Sequence, residues 1–187
     1  MPSAPRFPRV VSLACHDLRT PLATVYGFAR TLARSGTLDE RSQRFVGMIE
    51  EAAAQMSTLL DQLAVVARIE AGRWEPAMRA GDTFELARSD DERIEVRGRG
   101  AAIETEVDAV SRALDSLAVA AVRFGPAERV TWTVAGRDLD LAPVTEAAGP
   151  VITGEELRDL GAMCARIVIE ELGGSLKLDG ERLLVRL

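Results

Sequence analysis

The sequence predicts a mainly α chain with an α+β continuation: a long helical hairpin that forms a dimeric four-helix bundle, then a small sandwich of strands and helices. Three observations predict it. Val11, Cys15, Leu18, Leu22, Val25, Ala29 and Leu32 recur at alternating steps of four and three, a heptad seam. Phe45, Ile49, Ala52, Met56, Leu59, Leu63 and Val66 repeat that alternation. Beyond Pro76 the apolar period shortens toward two, the period of strands. The division falls at residues 1–76 and 77–187.

Each element has its own signal. Gly36 suits the end of the first helix. Thr37 with Glu40 fits a capping box that opens the second, which ends near Ala71 and Gly72 with Pro76 beyond. Helices of this length run roughly 40–50 Å at about 1.5 Å per residue. Leu13, Met48 and Leu60 flank the seams, and covering such side chains is worth roughly 1.5–3 kcal/mol each. A second copy of the hairpin supplies that cover, so a homodimer is expected, the alternative being a bundle completed by other helices of the same chain. In the second half, residues 83–86 and 93–96 alternate like strands, and 103–124 carries a helical period through Val107, Val110, Leu114, Leu117 and Ala121. Val130, Trp132 and Val134 form a strand that Ala135 and Gly136 turn into Leu139 and Leu141. Residues 155–172 read as a helix stopped by Gly173 and Gly174. Leu176 and Leu178, a turn at Asp179 and Gly180, and Leu183, Val185 and Leu187 close as a hairpin. The sum is a mixed or antiparallel sheet with two helices on one face.

Composition narrows the function. Of 187 residues, 47% are hydrophobic and 28% charged, an ordinary globular balance. Basic residues number 23 and acidic ones 29, for a net charge of −6. Nucleic acid is therefore not an expected partner, because phosphate binding needs a basic footprint. No uncharged apolar run nears the roughly 18 residues that span a bilayer, and the first residues lack a secretory h-region. The expectation is a cytoplasmic protein with no membrane partner. Two distant cysteines, Cys15 and Cys164, make neither a disulfide framework nor, with the single His16, a zinc site. Gly98-Arg99-Gly100 is too short for a phosphate loop and flanks no clear strand-to-helix turn.

Any imidazole chemistry runs through His16. It lies one step, about 100°, round the helix from the seam residue Cys15, so it belongs on the bundle's flank in water. Thr20 is one turn away on the same face, and Asp17 a further step round. Pro21 lacks an N–H and clashes with the Asp17 carbonyl, which should bend or loosen the helix there. The block His16-Asp17-Leu18-Arg19-Thr20-Pro21-Leu22 resembles the phospho-accepting box of sensor histidine kinases. The resemblance covers roughly residues 8–76, through Ala67-Arg68-Ile69-Glu70-Ala71-Gly72. It implies that His16 carries a phosphoryl group and that Asp17 orients or deprotonates the imidazole. It also implies that Thr20 occupies the position used in that family to place water for dephosphorylating a partner.

The second half is similar to the catalytic, ATP-binding domain of the same family, with departures. By that resemblance Ala120 stands where the family has a Mg-binding Asn, Ala147 where an Asp reads adenine, and Val151 at the last Gly of its glycine box. Only Arg158-Asp159 separates Glu155-Glu156-Leu157 from Leu160-Gly161, so the nucleotide lid is lacking. Triphosphate binding needs a carboxylate, a metal ligand and close glycine backbone, and these residues supply none. The implied function is a histidine phosphotransferase of a two-component phosphorelay, moving a phosphoryl group between receiver-domain aspartates via His16 without ATP. No cofactor is expected in this chain, and Mg²⁺ is expected on the partner receiver. The alternatives are an ATP-dependent sensor histidine kinase core and a receiver-docking phosphatase or pseudokinase regulator. Docking is expected on the flank at Thr20, Ala23, Thr24 and Gly27, with Arg44, Gly47 and Glu51 on the second helix. Small side chains at Ala23 and Gly27 leave room for a partner helix, or Gly27 relieves crowding inside the bundle.

Overall fold

The computed structural model describes residues 6–36 and 38–187, which fall into two compact units divided between Trp74 and Glu75. The first is a two-helix hairpin of α1 (Arg6–Arg34) and α2 (Glu40–Glu70). Pro21 sits inside α1 without ending it. Gly36 follows with φ +66°, the left-handed geometry that stops a helix. Thr37, half of the expected capping box, lies outside the described residues. The cap of α2 is Asp39, whose carboxylate accepts from the Ser42 backbone N–H at 2.7 Å.

The heptad seam of α1 splits into two rows. Cys15 and Ala29 are buried and Leu22 is half-buried, whereas Leu18, Val25 and Leu32 are exposed. Most of the α2 seam expected from sequence points outward: Phe45, Ile49, Ala52, Met56 and Leu59 are exposed, whereas Leu63 and Val66 are half-buried. The row that packs inward is Val46, Ala53, Leu60 and Ala67, also seven residues apart. Small side chains let two helices approach closely, so Cys15, Ala29, Ala53 and Ala67 turn inward and the bulky rows are left outside. A heptad pattern states that apolar rows exist but not which of them faces the sister helix.

The second unit comprises β1 (Arg79–Asp82), α3 (Thr83–Leu86), β2 (Ile94–Gly100), β3 (Ala102–Thr105), α4 (Val107–Phe124), β4 (Val130–Gly136) and β5 (Asp138–Ala142), then α5 (Gly149–Thr153), α6 (Leu160–Glu171), β6 (Ser175–Asp179) and β7 (Arg182–Arg186). Five strands form a mixed sheet in the order β2-β4-β5-β7-β6, with β2 parallel to β4 and the other pairs antiparallel. β1 and β3 pair separately. Alternate residues Val130, Trp132, Val134, Leu139, Leu141, Leu183 and Val185 meet Leu114, Leu117, Ala121 and Ile169 of the helices in one core. No helix among the described residues is long and apolar enough to cross a membrane.

Three expected elements are corrected. Residues 83–86 form a helical turn rather than a strand. Asp82 caps it by accepting from the N–H groups of Phe84 (2.9 Å) and Glu85 (3.4 Å). The buried Thr83 hydroxyl donates to the Gly136 carbonyl at 2.6 Å and accepts from Ala101 N–H at 2.9 Å, which pins the turn against the sheet. Ile103 belongs to β3, and α4 starts later because the Glu106 carboxylate caps it at Ala109 N–H. The helix expected over 155–172 begins only at Leu160. Gly154 (φ +78°) ends α5, and Asp159 opens α6 by accepting from Ala162 N–H at 2.8 Å. The Gly98-Arg99-Gly100 stretch is the end of β2. Gly98 has φ +104° and lies opposite Val134, where a Cβ would overlap the Val134 backbone, so it is a strand residue at a close approach.

The loop after α3 is tied to α4 by Ser89, whose hydroxyl donates to Asp115 at 2.5 Å. Burial pushes the Asp115 carboxyl above its ordinary value; the Ser89 hydrogen bond opposes this, and the charges of Asp91 and Asp90 add to it. The fold therefore favours the protonated acid. That contribution is present below the carboxyl's unfolded pKa and is lost as pH rises through the folded value. Asp115→Asn keeps an acceptor for Ser89 and removes the charge. It should raise stability in chemical denaturation at about pH 7.5, with the gain shrinking toward about pH 3.5.

Candidate functional site

α1 carries the one imidazole. A helical step of about 100° separates neighbouring residues, so Cys15 and His16 have opposite surroundings. Cys15 is 1% exposed in the hairpin interior, while the His16 side chain is 77% exposed. His16 Nδ1 lies 3.1 Å from the Asp17 Oδ1. An ionised carboxylate only accepts, so in this contact the Nδ1–H is the donor, and in the neutral ring the lone pair is then on Nε2. Burial pushes the Cys15 thiol up, with Arg19 opposing and Asp61 reinforcing the shift.

The flank below His16 is built from both helices. Arg19, three residues on, donates to Asp61 of α2 at 2.6 Å. Next to it is a cavity of about 300 Å³ lined by Arg19, Leu22, Ala23, Tyr26 and, from α2, Ala53, Ala54, Ser57 and Thr58. Thr20, Ala23, Thr24 and Gly27 form an exposed stripe along α1. The Thr24 hydroxyl donates to the Thr20 carbonyl at 3.1 Å. A Cβ at Gly27 would meet nothing within 4 Å, so nothing within one hairpin crowds that position.

The antiparallel register sets which part of α2 lies across from this stripe. The Arg19–Asp61 pair and the cavity put residues 53–61 opposite residues 19–26. Arg44, Gly47 and Glu51 are exposed but lie nearer the hairpin loop, so the structure does not bring them beside His16. Asp61 and Tyr26 are the flank residues that sequence reasoning missed. Asp61 belongs to no motif, and only the register joins it to Arg19.

In the second unit the residues matched to nucleotide chemistry sit differently. Ala120 is fully buried in the core of α4, and Val151 is buried in α5. Ala147 is exposed before α5 and offers only a methyl group. Gly149 has its backbone face against β6, where a Cβ would come 2.9 Å from Leu178 Cδ2. α4 lies along α6, with Gly161 packed on Ser116. Arg123 and Asp159 join the two helices at 3.3 Å, and Arg123 and Arg158 both stand over the Phe124 ring. These residues do not fit a nucleotide: the metal-ligand position faces packed hydrocarbon, and the glycine approach is occupied by leucine. Among the described residues no cluster of three His, Cys, Asp or Glu side chains could hold a metal ion.

Comparison with known proteins bears on this geometry. Residues 9–72 match the His Kinase A (phospho-acceptor) domain family. The chain is 31% identical over 169 residues to "Histidine protein kinase DivJ" of Caulobacter vibrioides, covering 82% of this chain and 28% of DivJ. It is 35% identical over 57 residues to "Sensor protein DivL" of the same organism, covering 30% of this chain and 7% of DivL. The chain thus spans little more than a quarter of the longer-matching curated relative. Among solved structures, full-length ShkA in complex with AMPPNP superposes with a TM-score of 0.62 at 20% identity, covering 95% of this chain and 44% of ShkA. The Acinetobacter baumannii histidine kinase AdeS gives 0.53 at 15%, covering 91% of this chain and 94% of that one. At those identities the likeness is one of fold. Together the matches support a sensor histidine kinase core and a place in two-component signalling.

Neighbouring residues with opposite exposure should differ in reactivity. A histidine acylating reagent such as diethyl pyrocarbonate should modify His16 in the folded chain. A thiol reagent should leave Cys15 unlabelled until denaturant is added, as peptide mass mapping would read.

Proposed function

With residues 9–72 as a phospho-acceptor hairpin, we propose that this chain is a histidine phosphotransferase of a two-component phosphorelay, passing a phosphoryl group between receiver-domain aspartates through His16 without ATP. One contrast carries the reading: an imidazole open at Nε2 and oriented by Asp17, in a chain whose nucleotide-site positions are closed by Ala120 and Val151.

The chemistry needs little more than that imidazole. The Nε2 lone pair attacks the phosphorus of an aspartyl phosphate on a receiver. The N–P bond forms, the P–O bond to the aspartate breaks, and the carboxylate leaves with its electron pair. The ring keeps its Nδ1 proton and gains positive charge, which the Asp17 carboxylate stabilises across the 3.1 Å contact. Mg²⁺ carried by the receiver would neutralise the phosphoryl oxygens. The reverse sequence hands the group to a second receiver. The exposed stripe from Thr20 to Gly27 suits receiver docking, because the receiver aspartate must reach Nε2 from the same flank. A hydroxyl at Thr20, one turn from His16, also suits a dephosphorylating reading in which it orders water.

A second copy of the hairpin is part of the proposal. The bare row of Leu18, Val25 and Leu32 on α1 and the row of Phe45, Ile49, Met56 and Leu59 on α2 need cover that one hairpin does not provide. An ATP-dependent kinase is the competing reading, favoured by the identity to a histidine protein kinase over 82% of this chain.

Three measurements test these statements. The purified chain should take up acid-labile label from phosphorylated receivers, His16→Gln should take up none while staying folded, and calorimetry with Mg-ATP should give no binding. A dissociation constant at or below about 1 mM, about −4 kcal/mol, together with label from ATP, would restore the kinase. Leu59→Glu puts an unpaired carboxylate into the proposed interface at a cost of several kcal/mol. It should convert a sedimenting dimer to a monomer, and a monomeric parent would remove the bundle.

A further inference from the structure

The Arg19–Asp61 pair stands where a phosphoryl group on His16 would be felt. Side chains three residues apart on a helix have Cβ atoms roughly 5–6 Å apart, a separation shorter than an extended arginine. Arg19 is thus within reach of anything bound to His16 and is also held to the second helix at 2.6 Å. The charges share one neighbourhood: the thiol of Cys15, the residue before His16, feels both Arg19 and Asp61. Both partners are about half exposed, so the pair can be exchanged at low cost.

We propose that Asp61 positions Arg19 as an exchangeable cation for the phosphoryl group: the guanidinium rests on Asp61 while His16 is bare and moves onto the phosphoryl oxygens when His16 is loaded. The proposal rests on the reading of His16 as the phospho-acceptor. A phosphoryl group brings close to two negative charges and three acceptor oxygens. A guanidinium fork matches such oxygens two at a time. The dianion therefore outbids a single carboxylate. Asp61 still opposes the move, since leaving it unpaired weakens the phosphoryl contact by about the worth of the ion pair. Asp61 thus keeps the phosphoryl group from being held too firmly to be passed on, and the bare hairpin keeps its flank cation from straying.

The test uses the full chain loaded chemically, which removes any dependence on an unknown receiver. Phosphoramidate phosphorylates imidazoles directly: its P–N bond breaks as the Nε2–P bond forms, ammonia leaves, and the ring keeps its Nδ1 proton. Phosphorus NMR then follows ionisation of the phosphoryl group. A nearby cation favours the dianion and lowers that pKa. Asp61→Asn, which frees Arg19, should lower it by about 0.3–0.7, a roughly two- to fivefold change in proton affinity. Arg19→Ala should raise it and Arg19→Lys should recover part of the loss. In the Arg19→Ala background, Asp61→Asn should have a distinctly smaller effect. An equal effect of Asp61→Asn with and without Arg19 would reduce Asp61 to a through-space charge and overturn the proposal, as would no effect at all. Failure of the parent chain to load on His16, with His16→Gln as control, would instead overturn the phospho-acceptor reading itself.

Discussion

Close approach of two long helices along rows of small side chains is the constraint on which the hairpin depends. Cys15 and Ala29 on one helix and Ala53 and Ala67 on the other occupy the inward rows. Every neighbouring position is then fixed by the helical step. His16 is turned to the flank because Cys15 is turned inward, and Arg19 reaches Asp61 because the axes are near enough for a flank-to-flank ion pair. The same constraint expels the bulky side chains. Leucine, valine and phenylalanine that one hairpin cannot bury are sorted onto the outer rows, so the chemistry of His16 and the need for apolar cover arise from one packing decision.

The second unit shows a related economy. Position 120 lies about one turn from the end of α4, with Ala113, Leu117, Ala118 and Ala121 also in the buried set. A polar metal ligand at a position so enclosed would need a partner or water, and without one would cost several kcal/mol. Alanine needs neither. Val151, buried in α5, adds branched apolar volume in the same way. Of the three positions, Ala120 belongs to the core cluster and Val151 is buried, whereas Ala147 is exposed.

Much of this was legible in the sequence. Two long helices, the two core helices, the β4–β5 and β6–β7 hairpins and the flank position of His16 all follow from spacing, because periodicity reports burial directly. The misses have particular causes. Residues 83–86 alternate like a strand, but Asp82 is a helix cap and Thr83 spends its hydroxyl on backbone from two other segments. The outward row of α2 has as strict a heptad as the inward one, so spacing could not rank them, although side-chain size could have. Asp61 was invisible because its partner is set by the register of an antiparallel hairpin, which is decided by loop geometry around Asp39 and Gly36. Arg44, Gly47 and Glu51 are expected across from the Thr20–Gly27 stripe for want of that register, which instead puts residues 53–61 there.

If a second copy covers the outward rows, as proposed, the chain's survival depends on its abundance. A hairpin whose outer rows stay bare exposes both apolar surface and long stretches of helix backbone to proteases and chaperones. Where a second copy supplies the cover, folded lifetime grows with copy number by mass action. Freshly made chains at low concentration are then the ones most readily cleared. Expression level, and not sequence alone, becomes a determinant of how much working hairpin a cell holds.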